Sequence, residues 1–258
     1  GELNIMHLKV GDYDNGRGIK CWGNELKIAN GPKVRVEIAH DKTRVAIGGI
    51  DTAFGGDGFG GKLSIVNAVV ESVGGIGAIG NVLIDHSIVN VMSSGYALQG
   101  YEKISIKDSC CSFIAKNGTA LAVRGFLEAE DAIVYGYSHN SDCVVSSYDA
   151  SSISGYGCVF GKGFYRFATN GGEDCAAIDS GDSYCNVAVN GATIETCAPG
   201  GTGIDMTLPR LTMNSGLIRH RNSMDFKKDF FVGRELLDAY GLLVSWNSVG
   251  IELGYSPE

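Results

Sequence analysis

The stretch Leu63-Ser64-Ile65-Val66-Asn67-Ala68-Val69-Val70 holds two short apolar runs joined by one polar and one small residue. The pattern returns as Val82-Leu83-Ile84-Asp85-His86-Ser87-Ile88-Val89, as Ile104-Ser105-Ile106-Lys107-Asp108-Ser109-Cys110-Cys111, and as Leu127-Glu128-Ala129-Glu130-Asp131-Ala132-Ile133-Val134. The shared order is apolar, any, apolar, any, then Asn, His or Asp, then Ala or Ser. Weaker copies begin at Leu26 (with Ile28, Asn30 and Gly31), Ser151 (Ile153, Gly155), Val187 (Val189, Gly191, Ala192) and Leu211 (Met213, Ser215, Gly216), which makes eight. Starts at 63, 82, 104, 127 and 151 lie 19, 22, 23 and 24 residues apart, and 187 to 211 is again 24. A repeat of this length, carrying period-two apolar alternation, predicts the coils of an all-β solenoid.

Each copy has a second half in which apolar residues follow a glycine or cysteine, as in Gly77-Ala78-Ile79-Gly80, Gly118-Thr119-Ala120-Leu121, Cys143-Val144-Val145 and Cys175-Ala176-Ala177-Ile178. Two short strands per coil are therefore expected. Stacking such strands ~4.8 Å apart pairs their backbone groups with the coils above and below. Leu63, Ile65, Ile84, Ile104 and Ile106 would form inward aliphatic ladders, while Asn67, Asp108 and Asp131 are residue types that tolerate turn dihedrals.

Composition bounds the rest. The 258 residues suit one all-β domain, and 38 glycines with only 4 prolines fit many tight turns, neither collagen nor a disordered segment. A net charge of -8 repels phosphate backbones, so nucleic acid is not an expected partner. Apolar runs such as Ala132 to Tyr135 fall far short of the roughly twenty residues of a membrane span. No signal-peptide pattern opens the sequence, which is compatible with one having been removed. The eight cysteines include the adjacent Cys110 and Cys111, which alternation sends to opposite faces, and no CxxC, so zinc is not expected. Buried thiols are the first reading and a single disulfide the second.

The repeat resembles that of the single-stranded right-handed parallel β-helix class, which includes pectate lyases, polygalacturonases, phage tailspikes and many bacterial surface proteins. Gly77-Ala78-Ile79-Gly80 and Leu63-Ser64-Ile65 are similar to repeats of Gly-rich surface proteins. The resemblance spans roughly residues 26 to 223. It implies the architecture, a secreted or cell-surface setting in a bacterium or phage, and polysaccharide or surface glycan as the partner class.

Solenoid ends need covers, and both ends depart from the repeat. Residues 224–258 are expected to cap the helix of residues 1–223, with a short amphipathic helix over 229–240 and a hairpin from Leu242–Trp246 to Val249–Leu253. The alternative is an oligomerisation module; the oligomeric state is open. The intervals 26 to 63 and 151 to 187 exceed one coil and predict insertions. The first would hold Lys33–Ile38, Thr43–Ile47 and the glycines of 48–61, and the second Phe160–Phe167.

Phe164, Tyr165, Arg166 and Phe167 in the second insertion form a candidate sugar-binding platform, since aromatic rings offer apolar faces at low entropic cost. The plainer reading is an extra strand packed on the barrel. Glu173, Asp174, Asp179, Asp182 and Asp205 form the acidic group, and paired carboxylates serve glycoside hydrolysis or calcium-dependent elimination. Gly172-Glu173-Asp174-Cys175-Ala176-Ala177-Ile178 resembles the Gly-Asp-Asp-Cys-x-Ala-Ile stretch of polygalacturonases. That resemblance implies acid and base roles for Glu173 and Asp174, and an enzyme would carry its catalytic site on a lateral groove near these two and Asp205. The family's Asn-Thr-Asp, Gly-His-Gly and Arg-x-Lys are absent.

No metal ligands or cofactor are expected, and calcium enters only with the lyase reading. Asp12-Tyr13-Asp14-Asn15-Gly16 looks like a calcium loop, but Gly23 stands where an EF-hand needs its twelfth-position Glu, so a turn is expected. The glycines of 48–61 lead to Lys62-Leu63 and not to the Lys-Ser/Thr of a phosphate loop. His86 occupies a turn position, and His7, His40, His139 and His220 assemble into no triad. The first functional expectation is a non-catalytic module for binding or adhesion. A lyase or hydrolase on a lateral groove is the second, and a structural spacer the third.

Overall fold

A strand of three to seven residues cannot bury its inward face or satisfy both backbone edges alone, so such strands persist only as members of a stack. In a computed structural model of the chain the described residues are 7–10, 19–20, 25–29, 31, 33–37, 45–48, 61–78, 80–146, 156–172, 174–179, 186–199, 201–206, 211–221, 230–232, 237–239, 242–247 and 250–253. Their strands, parallel except for one antiparallel pair near the C-terminal end, are arranged in three columns, giving an all-β, solenoid-like stack.

The first column runs through Glu25–Ala29, Lys62–Val66, Asn81–Asp85, Lys103–Lys107, Phe126–Glu130 and Tyr156–Phe160. The second runs through Lys33–Glu37, Val69–Val73, Ile88–Ser93, Cys110–Ala115, Ala132–Ser138 and Gly163–Thr169. Two long strands, Asn186–Cys197 and Leu211–Arg221, then bend through both columns and join them into one sheet. The third column is a separate nine-stranded sheet that includes Gly75–Ala78, Leu98–Gly100, Leu121–Val123, Val144–Ser146, Ala176–Asp179 and Thr202–Met206.

All three columns face one core. Ile65, Ile84 and Ile106 come from the first, Val70, Val89 and Val134 from the second, and Ile76, Leu98, Leu121 and Ile178 from the third. Because register follows the alternation, each inward residue lies against its equivalent in the next coil. One place breaks the size pattern: Phe113, Gly136 and Phe167 are register partners, and the missing side chain of Gly136 leaves room for the Phe167 ring, whose Cδ1 a Cβ would approach to 3.0 Å.

The corner between the first two columns is built by the repeat's polar residue. Asn67, His86, Asp108 and Asp131 all take positive φ, between 45° and 50°. Left-handed backbone is costly for most L-residues and least so for Asn and Asp, whose short side chains bond locally. The corner is pinned from coil to coil, with Asn67 N–H donating to Asp85 O at 2.9 Å, His86 N–H to Lys107 O at 3.1 Å and Asp108 N–H to Glu130 O at 3.1 Å. The small residue that follows turns inward, and there Ser87 N–H donates to Ser109 Oγ at 3.0 Å.

Several expectations need correction. A coil has three strands, because the left-handed residue ends one strand and starts another, so each eight-residue copy is two strands and not one. Lys33–Glu37 and Val45–Gly48 are regular members of the second and third columns rather than an insertion. Phe160–Phe167 likewise spans an ordinary corner and the strand after it. Leu127 pairs with Cys158, so the sixth coil's first strand is Tyr156–Phe160; Ser151 and Ile153 lie outside the described residues.

In place of the helix expected over 229–240, Phe230–Val232 and Leu237–Ala239 are strands, paired with Ile204–Met206 and Leu211–Met213. Unpaired backbone on the preceding coil outweighs the local helical period. Leu242–Asn247 continues the second column and pairs antiparallel with Gly250–Leu253. Among the described residues no helix is long and apolar enough to cross a membrane.

Candidate binding face and acidic corner

Alternation in the second column sends every other residue out of the core, and the register lines these residues up across coils. One outward row is Val69, Ile88, Cys110, Ile133, Phe164, Thr193 and Leu217. Beside it runs Glu71, Asn90, Ser112, Tyr135, Arg166, Glu195 and Arg219. Ile133 is 55% exposed, Phe164 39% and Tyr135 37%, so apolar and aromatic area sits open on the outer face of the sheet.

That face carries fixed charge as well. Glu195 is nearly buried between two arginines, with Arg219 Nη1 donating to its Oε1 at 3.3 Å and Arg166 Nε 3.8 Å from its Oε2. The pairing holds Arg166 next to Tyr135, its register partner. Burial pushes the Tyr135 phenol up, against the opposing pull of the Arg166 charge, so the hydroxyl remains a donor at neutral pH. Further along the same strand, Tyr137 Oη lies 3.2 Å from His139 Nδ1.

The four expected platform residues divide between two sides of one strand. Phe164 and Arg166 face outward. Tyr165 and Phe167 are closed to solvent and pack on Phe160, with ring centroids 5.2 and 5.6 Å apart, and Tyr165 Oη donates to Lys162 O at 3.0 Å. This is the period-two rule of an extended strand: consecutive residues cannot share a face. Tyr135, not singled out in the sequence, joins Phe164 and Arg166 because the neighbouring coil places it there.

The acidic residues gather at the third column. Asp179 and Asp205 are register partners on adjacent strands, Asp174 is exposed, and Glu173 and Asp182 lie outside the described residues. Asp142 joins them from the coil before. Its Oδ1 accepts the Ala176 N–H at 2.6 Å, and its carboxyl is pushed up, mainly by burial, opposed by that hydrogen bond and aided by the charge of Asp205. Burial also raises the Cys175 thiol, with the charges of Asp142, Asp174 and Asp179 adding to the effect. Nothing in the sequence around Asp142 marks it; only the stacking brings it to Asp205.

The thiols follow the repeat. Cys111 and Cys143 are buried and their pKa values are driven up by desolvation, whereas Cys110, next in sequence to Cys111, is exposed. The calcium-like Asp12–Gly16 and the glycines of 49–60 lie outside the described residues. His220 is buried, 2.8 Å from Thr196 Oγ1, as an internal polar contact.

Comparison of the chain with family models, curated proteins and solved structures finds no match.

Proposed function

We propose that the chain is a right-handed parallel β-helix acting as a non-catalytic binding or adhesion module, and that the outward face of its second column takes a glycan. The hand rests on the near-universal right-handedness of parallel crossover connections. The observation that carries the binding reading is the union on one outer sheet face of Tyr135, Phe164 and Ile133 with the Arg166–Glu195–Arg219 ion pairs. Pyranose rings present apolar C–H faces to aromatic side chains and hydroxyls to charged ones, and a stacked sheet holds both groups with little ordering cost. Such a role fits a secreted or surface-displayed protein of a bacterium or phage, and residues 224–258 serve as its cap.

A second reading, a glycoside hydrolase or calcium-dependent lyase, is favoured by one observation: Asp179 and Asp205 are register partners on adjacent strands, and the Asp142 carboxyl of the coil before is shifted toward its protonated form by burial, with the charge of Asp205 adding to the effect. The experiment is a polysaccharide panel with calcium, scoring both retention and new reducing or unsaturated ends. The binding reading expects retention without product, lost in Tyr135→Ala and Phe164→Ala and kept in Asp142→Asn. Product that disappears in Asp142→Asn establishes the enzyme instead, and neither retention nor product leaves a spacer.

A further inference from the structure

We propose that Asp85, His86 and Asp108 form a surface site for one divalent transition-metal ion of the zinc class, at the corner between the first and second columns. Each residue offers one donor atom, and the three atoms lie within 4.8 Å of one another. His86 and Asp108 occupy the same corner position in successive coils, both with left-handed backbone, at φ 47° and 45°. Their backbone N–H groups are bonded to the following coil at 3.1 Å, so the spacing of the two side chains is set by the stack and not by a mobile loop.

The ring is already oriented. Asp85 Oδ1 lies 2.8 Å from His86 Nδ1, which places the neutral imidazole's proton on Nδ1 and leaves the Nε2 lone pair for a ligand. Nε2 faces Asp108 Oδ2 at 3.8 Å. Two ligands held ~2.1 Å from a tetrahedral zinc stand about 3.4 Å apart, so the ion fits after a movement of a few tenths of an ångström. A carboxylate behind a metal-bound imidazole is the arrangement that raises ligand basicity and fixes the ring. Asp85 is thus the positioning residue, His86 and Asp108 are the ligands, and water fills the open positions. The imidazole selects against calcium and magnesium, which take oxygen donors.

The test is isothermal titration of the purified chain with zinc chloride, and separately with calcium and magnesium chloride. One saturable zinc event per chain and none with calcium or magnesium is the expected result. His86→Asn and Asp108→Asn retain a residue that tolerates left-handed backbone, so they should keep the native circular dichroism spectrum while losing saturable binding. Asp85→Asn should weaken binding about 10-fold. Asp131→Asn, at the same corner one coil beyond Asp108, should leave it unchanged. If a variant fails to fold, the His86 ring protons of the native chain provide the readout, and they should shift on zinc titration. Absence of saturable zinc binding, undiminished binding in His86→Asn or Asp108→Asn, or unmoved His86 resonances overturns the proposal.

Discussion

Gly136→Ala adds one methyl group where side chains from different columns meet. A Cβ built on Gly136 would lie 2.8 Å from Cys143 Sγ, 3.0 Å from Phe167 Cδ1 and 3.1 Å from Leu121 Cδ1. Ordinary carbon contacts are ~3.5–4.0 Å, and all three neighbours are buried, so none can withdraw into solvent. Overpacking of this kind costs ~1–3 kcal/mol, while removing a glycine from a strand returns ~0.5–1 kcal/mol of backbone entropy. Midway through both ranges the net loss is about 1 kcal/mol. Gly136 is not among the positive-φ glycines, so backbone strain does not contribute. Urea unfolding followed by far-UV circular dichroism measures the loss. Adding Cys143→Ala removes the nearest atom, so the double variant should exceed the sum of the single variants in stability by at least ~0.5 kcal/mol. Wild-type stability in Gly136→Ala, or strict additivity with Cys143→Ala, would refute the placement of Gly136 between Phe113 and Phe167.

Asp131→Ala, which puts a non-glycine, non-Asx residue at φ 48°, should lower stability by ~1 kcal/mol, whereas Asp131→Gly should not, by the same urea assay. Timed maleimide labelling should modify Cys110 in the folded chain and reach Cys111 and Cys143 only on unfolding, since burial holds those two thiols protonated. His86 should titrate above its usual 6.5 by NMR, because of the hydrogen bond to Asp85, that residue's charge and a smaller contribution from Asp108; Asp85→Asn should bring it down. The sign follows: a raised folded pKa gives a stabilising contribution that is full below about 6.5 and lost as pH climbs through the folded value.

The corner residues were the most legible part of the fold. Asn67, His86, Asp108 and Asp131 stand out in sequence as the polar member of a fixed pattern, and each adopts the left-handed turn that Asn and Asp favour. Inward ladders were legible for the same reason, since strict alternation leaves Leu63, Ile65, Ile84, Ile104 and Ile106 no other side to occupy. Strand number was not, because only two residues, the left-handed Asn67 and the small Ala68, separate Lys62–Val66 from Val69–Val73 without interrupting the apolar pattern.

The site was legible only in part. Phe164 and Arg166 were named from local composition, but so were Tyr165 and Phe167, which the same alternation turns into the core. Tyr135 and Asp142 gain their neighbours from residues some thirty positions away, and only register reveals such contacts.

One continuous stack is the claim on which the rest depends, and a single spin-label distance tests it. Val69 and Leu217 belong to one outward row, joined by six register steps through Ile88, Cys110, Ile133, Phe164 and Thr193. At ~4.8 Å per step the two labels should lie about 29 Å apart, measured by double electron–electron resonance on a chain whose other accessible cysteines are serine. A narrow distribution near that value is the predicted result. A broad one, or a mean below about 20 Å, would contradict the stack.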